Sequence, residues 1–495
     1  MLEATPVVPA RITHAAGTPA SSARSIGART LATLIGEWRE AGPAYGALAD
    51  RIRLLVIDGR IPVDTRLPAE RELAEQLELS RTTVTAAYRQ LRELGFLQSV
   101  RGSGSVTRLS GSPGMLSVPG DRGYLDLSKA AMPALPWLTE ASRRAVDELP
   151  RHLGDAGYDP VGIPELRAAI ADRYTARGLP TQPEQIMVTI GAQHAIALLS
   201  RALVGRGDRA LIEQPTYPHA YEALRAAGAR LVPVSVMSDA AERGLETAGF
   251  EQAIRQSNPA MAYLMPDFHN PTGRSLDEGQ RERILAAAAK QGTVVVADET
   301  TAELNIDRPD TPLPMAAFGD AVLVGSIGKT VWGGLRIGWI RAEKPLIRKL
   351  IGLRAPGDLG TPILEQLIAT ELLPEMPRIL ELRSAQLRAG RDHLERQLAE
   401  RFPQWSVPHV HGGLATWVNL GAPVSSQLAL AARNHGLLVA AGPRFGIDGA
   451  FERFLRLPIS YSAEETTRAV DALSLAWGSL LRHPVPDAGY LADVV

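Results

Sequence analysis

The 495-residue sequence predicts a small winged helix-turn-helix followed by a large α/β domain built on a mostly parallel central sheet, with a smaller α+β subdomain. Three observations carry this. Residues 66–104 hold two short amphipathic helix patterns, a serine-led turn between them, and a Gly102-Ser103-Gly104 hairpin tip. From residue 185 to 325, apolar runs of strand length alternate with helical patterns, as in a sheet covered on both faces. Between these regions, residues 110–123 are rich in Gly, Pro and Ser, which reads as a linker.

Bulk properties narrow the function classes. The length suits about three compact domains, and 45% hydrophobic content supports a large core rather than disorder. The net charge of −1 advertises no global basic field. Residues 45–110 carry ten Arg against eight Asp and Glu, so any nucleic-acid surface there must be local and geometric. The absence of Cys excludes disulfides and thiolate metal sites and fits a reducing compartment; no metal site is expected. There is no run of about 18 apolar residues. Met1–Gly17 contains Glu3 and prolines in place of an apolar signal core, so the cytoplasm is the expected location and no membrane partner is expected.

Residues 1–43 read as a flexible arm with one short helix at Thr30–Arg39, where Leu31, Leu34, Ile35 and Trp38 share a face and Gly42-Pro43 ends it. Residues 44–108 read as the winged module. Its first helix, Tyr45–Asp58, buries Leu48, Ile52, Leu55 and Val56 and stops at Gly59. Pro68 suits the first turn of the next helix, whose core face is Leu73, Ala74 and Leu77. Ser80 is placed to cap a further helix from Arg81, with Val84, Tyr88 and Leu91 inward and Arg81, Thr82, Thr83 and Arg89 outward or near its start. Such a second helix puts its N-terminal side chains into the major groove. Gly95 ends it, and Phe96–Val100 with Ser103–Thr107 form the wing.

The string Arg66-Leu67-Pro68-Ala69-Glu70-Arg71-Glu72-Leu73-Ala74, Ser80-Arg81-Thr82-Thr83-Val84 and the Gly-rich wing resemble the winged-helix domain of the GntR family. The resemblance implies a double-stranded DNA operator as partner, contacted by Arg71, Ser80, Arg81, Thr82, Thr83 and Gly102.

Beyond a linker at 109–124, strand runs at Gln185–Ile190, Arg209–Glu213, Met261–Pro266, Thr293–Asp298 and Ala321–Gly325 define the large domain, 125–485, followed by a tail at 486–495. Asp298 closes the apolar run Val294-Val295-Val296-Ala297. It would therefore emerge at a strand's carboxyl end, where open α/β sheets bind ligands. Gly191-Ala192-Gln193 follows a strand and opens a helix, a position that offers N–H donors and positive potential to a phosphate; Ser326 and Arg336 could add a hydroxyl and a guanidinium. Lys329 becomes nucleophilic only where its surroundings depress its pKa. Taken singly, each residue is better explained as a surface charge, a cap or a turn.

Gly157-Tyr158 with Gly162, Gly191-Ala192-Gln193, Pro215-Thr216-Tyr217, Asn270-Pro271-Thr272-Gly273, Asp298, Lys329 with Gly334-Leu335-Arg336, and Arg456 resemble the fold-type I aminotransferases over about residues 125–480. The resemblance implies pyridoxal 5'-phosphate as cofactor. Tyr217 would stack on its ring, Asn270 would donate to its phenolate oxygen, and Asp298 would pair with its ring nitrogen. Lys329 would form the internal aldimine. Gly191, Ala192, Gln193, Ser326 and Arg336 would hold the phosphate, and Arg456 would grip the carboxylate of an amino acid ligand.

A winged helix joined to this fold is similar to the MocR/GabR group of bacterial regulators, with a head-to-tail homodimer as that group's usual assembly. The chain departs from the group at Asp298-Glu299-Thr300, where Asp-Asp-Tyr is common, so Thr300 stands where a tyrosine would reach the cofactor's phenolate oxygen. Trp332-Gly333 replaces an aromatic-Pro pair. The implied function is a PLP-dependent, DNA-binding transcriptional regulator that senses an amino acid, an amine or the cofactor through external aldimine formation. Two alternatives stand beside it: an active aminotransferase with a fused DNA-binding module, and a cofactor-free dimerisation platform.

Overall fold

The computed structural model describes residues 25–36, 38, 43–57, 61, 65–100, 104–108, 124–237, 245–309, 313–447 and 449–481. Residues 1–24, Gly42, Gly59, Gly102, most of the linker and the tail at 486–495 lie outside the described residues. The chain divides into two compact units between Leu116 and Ser117.

The first unit runs α1 (Ala28–Ile35), α2 (Ala44–Ile57), α3 (Glu70–Gln76), α4 (Arg81–Glu93), β1 (Leu97–Val100) and β2 (Gly104–Thr107). β1 and β2 pair antiparallel, Leu97 opposite Thr107. One core collects Leu31 and Ile35 of α1, Leu48 and Ile52 of α2, Leu73 of α3, and Val84, Tyr88 and Leu91 of α4. α1 ends at Ile35 rather than continuing to Arg39, because Gly36 takes a left-handed φ of +60° and closes the helix. Trp38 is nevertheless buried in the same core. Pro68 also sits outside α3: Ala69 is its extended N-cap, and the Pro68 carbonyl accepts the Tyr88 hydroxyl at 3.1 Å.

The second unit runs β3 (Leu125–Asp126), α5 (Leu138–Glu148), α6 (Pro164–Ala176), β4 (Ile186–Ile190), α7 (Gly191–Leu203), β5 (Arg209–Gln214), α8 (Pro218–Ala226) and β6 (Arg230–Ser235). It continues with α9 (Leu245–Ser257), β7 (Met261–Leu264), α10 (Glu278–Gln291), β8 (Val294–Asp298), β9 (Val322–Ser326), β10 (Ile337–Arg341), α11 (Lys344–Arg354), α12 (Ile363–Leu372) and α13 (Met376–Arg401). β11 (Ala415–Asn419), α14 (Ser425–Asn434), β12 (Leu437–Leu438), β13 (Ala440–Ala441), β14 (Phe454–Pro458) and α15 (Ala463–Leu481) complete it.

Seven strands form the central sheet in the order β4-β10-β9-β8-β7-β5-β6. All are parallel except β10, which runs antiparallel to β4 and β9. The apolar composition follows from burial on both faces: Leu211, Ala262, Val295 and Leu323 belong to one core, and Ile212, Tyr263, Val296 and Val324 to another. A smaller lobe is built on the antiparallel sheet β11-β14-β13, with α13, α14 and α15 packed around it. α13 joins both lobes, burying Met376 and Ile379 in the sheet's core and Leu387, Leu394 and Leu398 in the smaller one. No helix among the described residues is long and apolar enough to cross a membrane.

Candidate functional site

Strand ends and turns of the second unit carry the candidate residues, and several of them share one neighbourhood. Asp298 ends β8 and is buried. Its Oδ2 accepts the Tyr263 hydroxyl at 2.6 Å, and its Oδ1 accepts the Thr300 backbone N–H at 3.0 Å. Tyr263 comes from the neighbouring parallel strand β7, whose register brings it close to Asp298. Burial and the adjacent Asp298 charge push the Tyr263 phenol well above its ordinary range, so it remains a neutral donor. Thr300 thus acts on the carboxylate through its main chain.

Lys329 lies in the loop after β9, with its Nζ donating to the Ala130 carbonyl at 2.7 Å. Its amine is pushed down to about 8, chiefly by burial, with Arg456 and Arg336 adding to the effect and Asp298 opposing it. That places Lys329, Asp298, Arg336 and Arg456 within one electrostatic neighbourhood. Tyr217 belongs to it as well: burial and the Asp298 carboxylate raise its phenol to about 12, against the pull of Arg336 and Arg456.

The loop that carries Lys329 is fixed from behind. The buried Arg383 of α13 donates to the carbonyls of Thr330 at 2.7 Å, Val331 at 2.8 Å and Pro133 at 2.6 Å. Three main-chain acceptors compensate a cation whose pKa burial lowers to about 10.

The phosphate candidates surround the start of α7. Gly191 has a φ of +74°, and a Cβ there would lie 2.6 Å from Arg336 Nη2, so only glycine admits the guanidinium so close to the helix N-terminus. Gly338 of β10 has the same role from the other side, since its Cβ would meet the Ala192 nitrogen at 2.7 Å. Arg336 is itself left-handed, φ +53°, a conformation that aims its side chain back over this turn toward Ile190 O and Gly333 O. Gln193 Nε2 donates to His219 O at 3.2 Å while its Oε1 is buried without a partner. Ser326 is committed differently from expectation: its hydroxyl donates to Ile337 O at 2.8 Å and accepts from Gly328 N at 2.9 Å, so it shapes the Lys329 loop.

Asn270 sits in a turn closed by the Gly273 N–H to His269 O contact at 2.6 Å. The turn is tied to the segment after β8 by Thr301 Oγ1, which donates to Asp267 O at 3.0 Å, and to β5 by His269 Nε2 facing Glu213 Oε2 at 3.3 Å. Asn270 Oδ1 is buried with no partner. Arg456 of β14 enters from the smaller lobe, buried, hydrogen-bonded to Ser128 O, and set over the Phe445 ring at 5.1 Å. Its Nε has no partner, and burial lowers its pKa to about 10.

A depressed lysine, a donor-held aspartate, the unpartnered Arg456 Nε and an arginine over a helix N-terminus make a set that fits a polar, phosphorylated ring compound bearing a carbonyl. The sequence reading did not single out Tyr263 or Arg383. A tyrosine inside the otherwise apolar run Met261–Leu264 is the signal that finds the first, because a buried phenol needs a partner.

In the first unit, Ser80 caps α4: its Oγ accepts Thr83 N at 3.1 Å and contacts the hydroxyls of Thr82 and Thr83 at 2.7 and 2.8 Å. Arg81 is exposed at the start of α4, and Arg71 is exposed on α3, ion-paired with Glu75 at 3.1 Å. Arg66, Arg71 and Arg81 converge on an open recess of about 270 Å³ between α3, α4 and the wing, floored by Tyr88 and edged by Gly104. Arg66 belongs to the quoted sequence string but was not expected as a contact. Its guanidinium lies 3.5 Å from where a Gly104 Cβ would be, beside the wing tip.

Residues 135–473 match the aminotransferase class I and II family, and residues 44–106 match the bacterial regulatory proteins of the gntR family. The chain belongs to the aminotransferase class I and II family, whose members depend on pyridoxal phosphate, and it carries a GntR-type helix-turn-helix ahead of that domain. It is 25% identical over 472 residues to an uncharacterized HTH-type transcriptional regulator, YdfD, of Bacillus subtilis (strain 168), covering 88% of this chain and 96% of that protein. It is 31% identical over 334 residues to the probable rhizopine catabolism regulatory protein MocR of Rhizobium meliloti, covering 60% of this chain and 65% of that one. Among solved structures, LysN, the alpha-aminoadipate aminotransferase of Thermus thermophilus complexed with N-(5'-phosphopyridoxyl)-L-leucine, superposes with a TM-score of 0.65 at 28% identity, covering 73% of this chain and 94% of that one.

Proposed function

We propose that the chain is a cytoplasmic, DNA-binding transcriptional regulator whose aminotransferase-like unit binds pyridoxal 5'-phosphate and senses an amino compound there. The observation that carries this reading is the shared neighbourhood of Lys329, Asp298, Tyr217, Arg336 and Arg456 in a chain that also carries a capped helix-turn-helix.

When bound, the cofactor supplies an aldehyde that reacts with amines and a ring that withdraws electrons once its nitrogen is protonated. The residues of this chain would divide the work of holding it. Arg336, the α7 N-terminus and Gln193 would take the phosphate. Asp298, oriented by Tyr263 and Thr300 N–H, would hold the proton on the ring nitrogen. Asn270 would donate to the phenolate oxygen, where Thr300 is too short to replace a tyrosine, and Tyr217 would cover the ring. Lys329, with its amine near 8, is neutral in roughly one molecule in ten at pH 7, far more often than an ordinary lysine, and would be the amine that holds the cofactor's aldehyde. Arg456 would pair with a ligand carboxylate, with Phe445 beneath it excluding water.

The ligand shifts DNA binding only by its differential affinity for two states of the protein, about 1.4 kcal/mol for a tenfold change. A head-to-tail homodimer is part of this reading.

The test follows the visible band of the purified protein during addition of amino acids and amines, together with operator affinity. A band that shifts and stays, with changed DNA affinity, supports the sensor. Sustained production of a 2-oxo acid would replace it with a turnover aminotransferase, and no visible band with intact DNA binding would leave only the DNA-binding module.

A further inference from the structure

We propose that Asp307, His409 and His411 form a binding site for an exchangeable divalent transition-metal ion of the zinc type. Their candidate ligand atoms all lie within 4.8 Å of one another. Asp307 Oδ1 is 2.8 Å from His411 Nδ1, and Asp307 Oδ2 is 3.7 Å from His409 Nε2. A tetrahedral ion about 2.0–2.1 Å from each ligand needs them roughly 3.4 Å apart, so occupancy asks for small side-chain adjustments only.

The backbone prepares this arrangement. His409 and His411 flank Val410, which is buried while both imidazoles are about half exposed, so both rings face out beside one another. Their ring centroids are 5.1 Å apart and nearly perpendicular. The Ile306 and Asp307 N–H groups both donate to the His411 carbonyl, at 2.9 and 3.3 Å, which locks the aspartate beside the histidines. Behind the cluster, Glu395 Oε2 lies 2.9 Å from His409 Nδ1. A carboxylate at one ring nitrogen fixes the tautomer and aims the other lone pair at the ion, the outer-shell pattern of histidine metal sites.

The opposing charges set the character of the site. Arg391 Nη1 pairs with Asp307 Oδ2 at 2.7 Å and Arg388 Nη1 lies 3.7 Å from the same oxygen. Two guanidiniums weaken cation binding, and the exposed imidazoles leave further coordination positions to water. The ion is therefore readily exchanged, and imidazole nitrogens with one carboxylate favour zinc-like ions over calcium or magnesium. Gly412, next to His411, packs against Phe268. Sequence reading expected no metal because Asp307 and His411 stand 104 positions apart and the chain offers no cysteine.

The test is a calorimetric titration of Zn²⁺ into tag-free, full-length protein loaded with pyridoxal phosphate and stripped by chelator, compared with His409→Ala/His411→Ala, His409→Gln and Glu395→Gln. The wild type should bind one more equivalent than the double variant, with release of protons seen as buffer-dependent heat. Glu395→Gln should weaken that equivalent by about tenfold or more. His409→Gln, with a half-exposed side chain, reports on the site even if the double variant folds poorly. Equal stoichiometry and affinity in the wild type and His409→Gln, or no Zn²⁺ uptake by the wild type, overturns the proposal.

Discussion

The Tyr263 hydroxyl and the Asp298 carboxylate form a buried 2.6 Å hydrogen bond between adjacent parallel strands. Replacing Tyr263 with Phe removes the donor and keeps the ring. A hydrogen bond to a charged group contributes about 1.5–3 kcal/mol, and the freed Asp298 oxygen is left desolvated. Tyr263→Phe should lower stability by that order and weaken pyridoxal phosphate retention on gel filtration. Unchanged retention would show that Thr300 N–H alone suffices to orient the carboxylate.

Lys329 gives a pH dependence with a definite sign. Its amine is at about 8 in the folded chain against an ordinary value near 10.5, so between these the unfolded chain binds more protons. The penalty for a buried ammonium is fully present below about pH 8 and is relieved as pH rises toward 10.5. In cofactor-free protein, stability relative to Lys329→Met should therefore climb across that interval. A flat difference would mean that the amine is not depressed.

Arg456→Ala should weaken carboxylate-bearing effectors selectively and leave simple amines nearly unchanged in their spectral titrations. Loss of response to both classes would show that the guanidinium acts instead by holding Ser128 and the surrounding loop.

Arg81→Ala should cost about 1–3 kcal/mol of binding to the specific operator if Arg81 reads a base, whereas Arg66→Ala should weaken all duplexes alike and reduce the salt slope by about one if Arg66 meets a phosphate. Competition binding at two salt concentrations separates the two outcomes, and uniform loss from Arg81→Ala would make it a backbone contact.

Ser80→Ala removes the α4 cap and should destabilise the winged unit by about 1 kcal/mol. Thermal melting checks this apart from DNA affinity. A loss of DNA binding without a change in melting would assign the hydroxyl to DNA instead.

Much of this was legible in the sequence because periodicity is a local signal. The five apolar runs from 185 to 325 correspond to β4, β5, β7, β8 and β9, and Ser80 announced its cap. Two strands of the central sheet escaped, as did the short strands of the smaller lobe. β6 contains Pro233, which argues against a strand interior and is tolerated because β6 is an edge of the sheet. β10 follows Arg336 directly, so its residues were absorbed into the motif around the lysine. The partners of Asp298, and the recess joining Arg66, Arg71 and Arg81, depend on which strands and helices lie side by side. Spacing along a chain does not encode that, and the same holds for Arg383, whose three acceptors are 52 to 250 positions away.

The helix carrying Arg383 also has a mechanical meaning. α13 spans 26 residues, roughly 39 Å at 1.5 Å per residue, and is embedded in two separate cores. It works as a lever arm: a tilt of about 5° at one end displaces the other by roughly 3 Å for a rod of that length. Since its guanidinium grips the carbonyls just past Lys329, the attitude of the distant lobe and the position of the Lys329 loop are geared to one another through a single rigid rod.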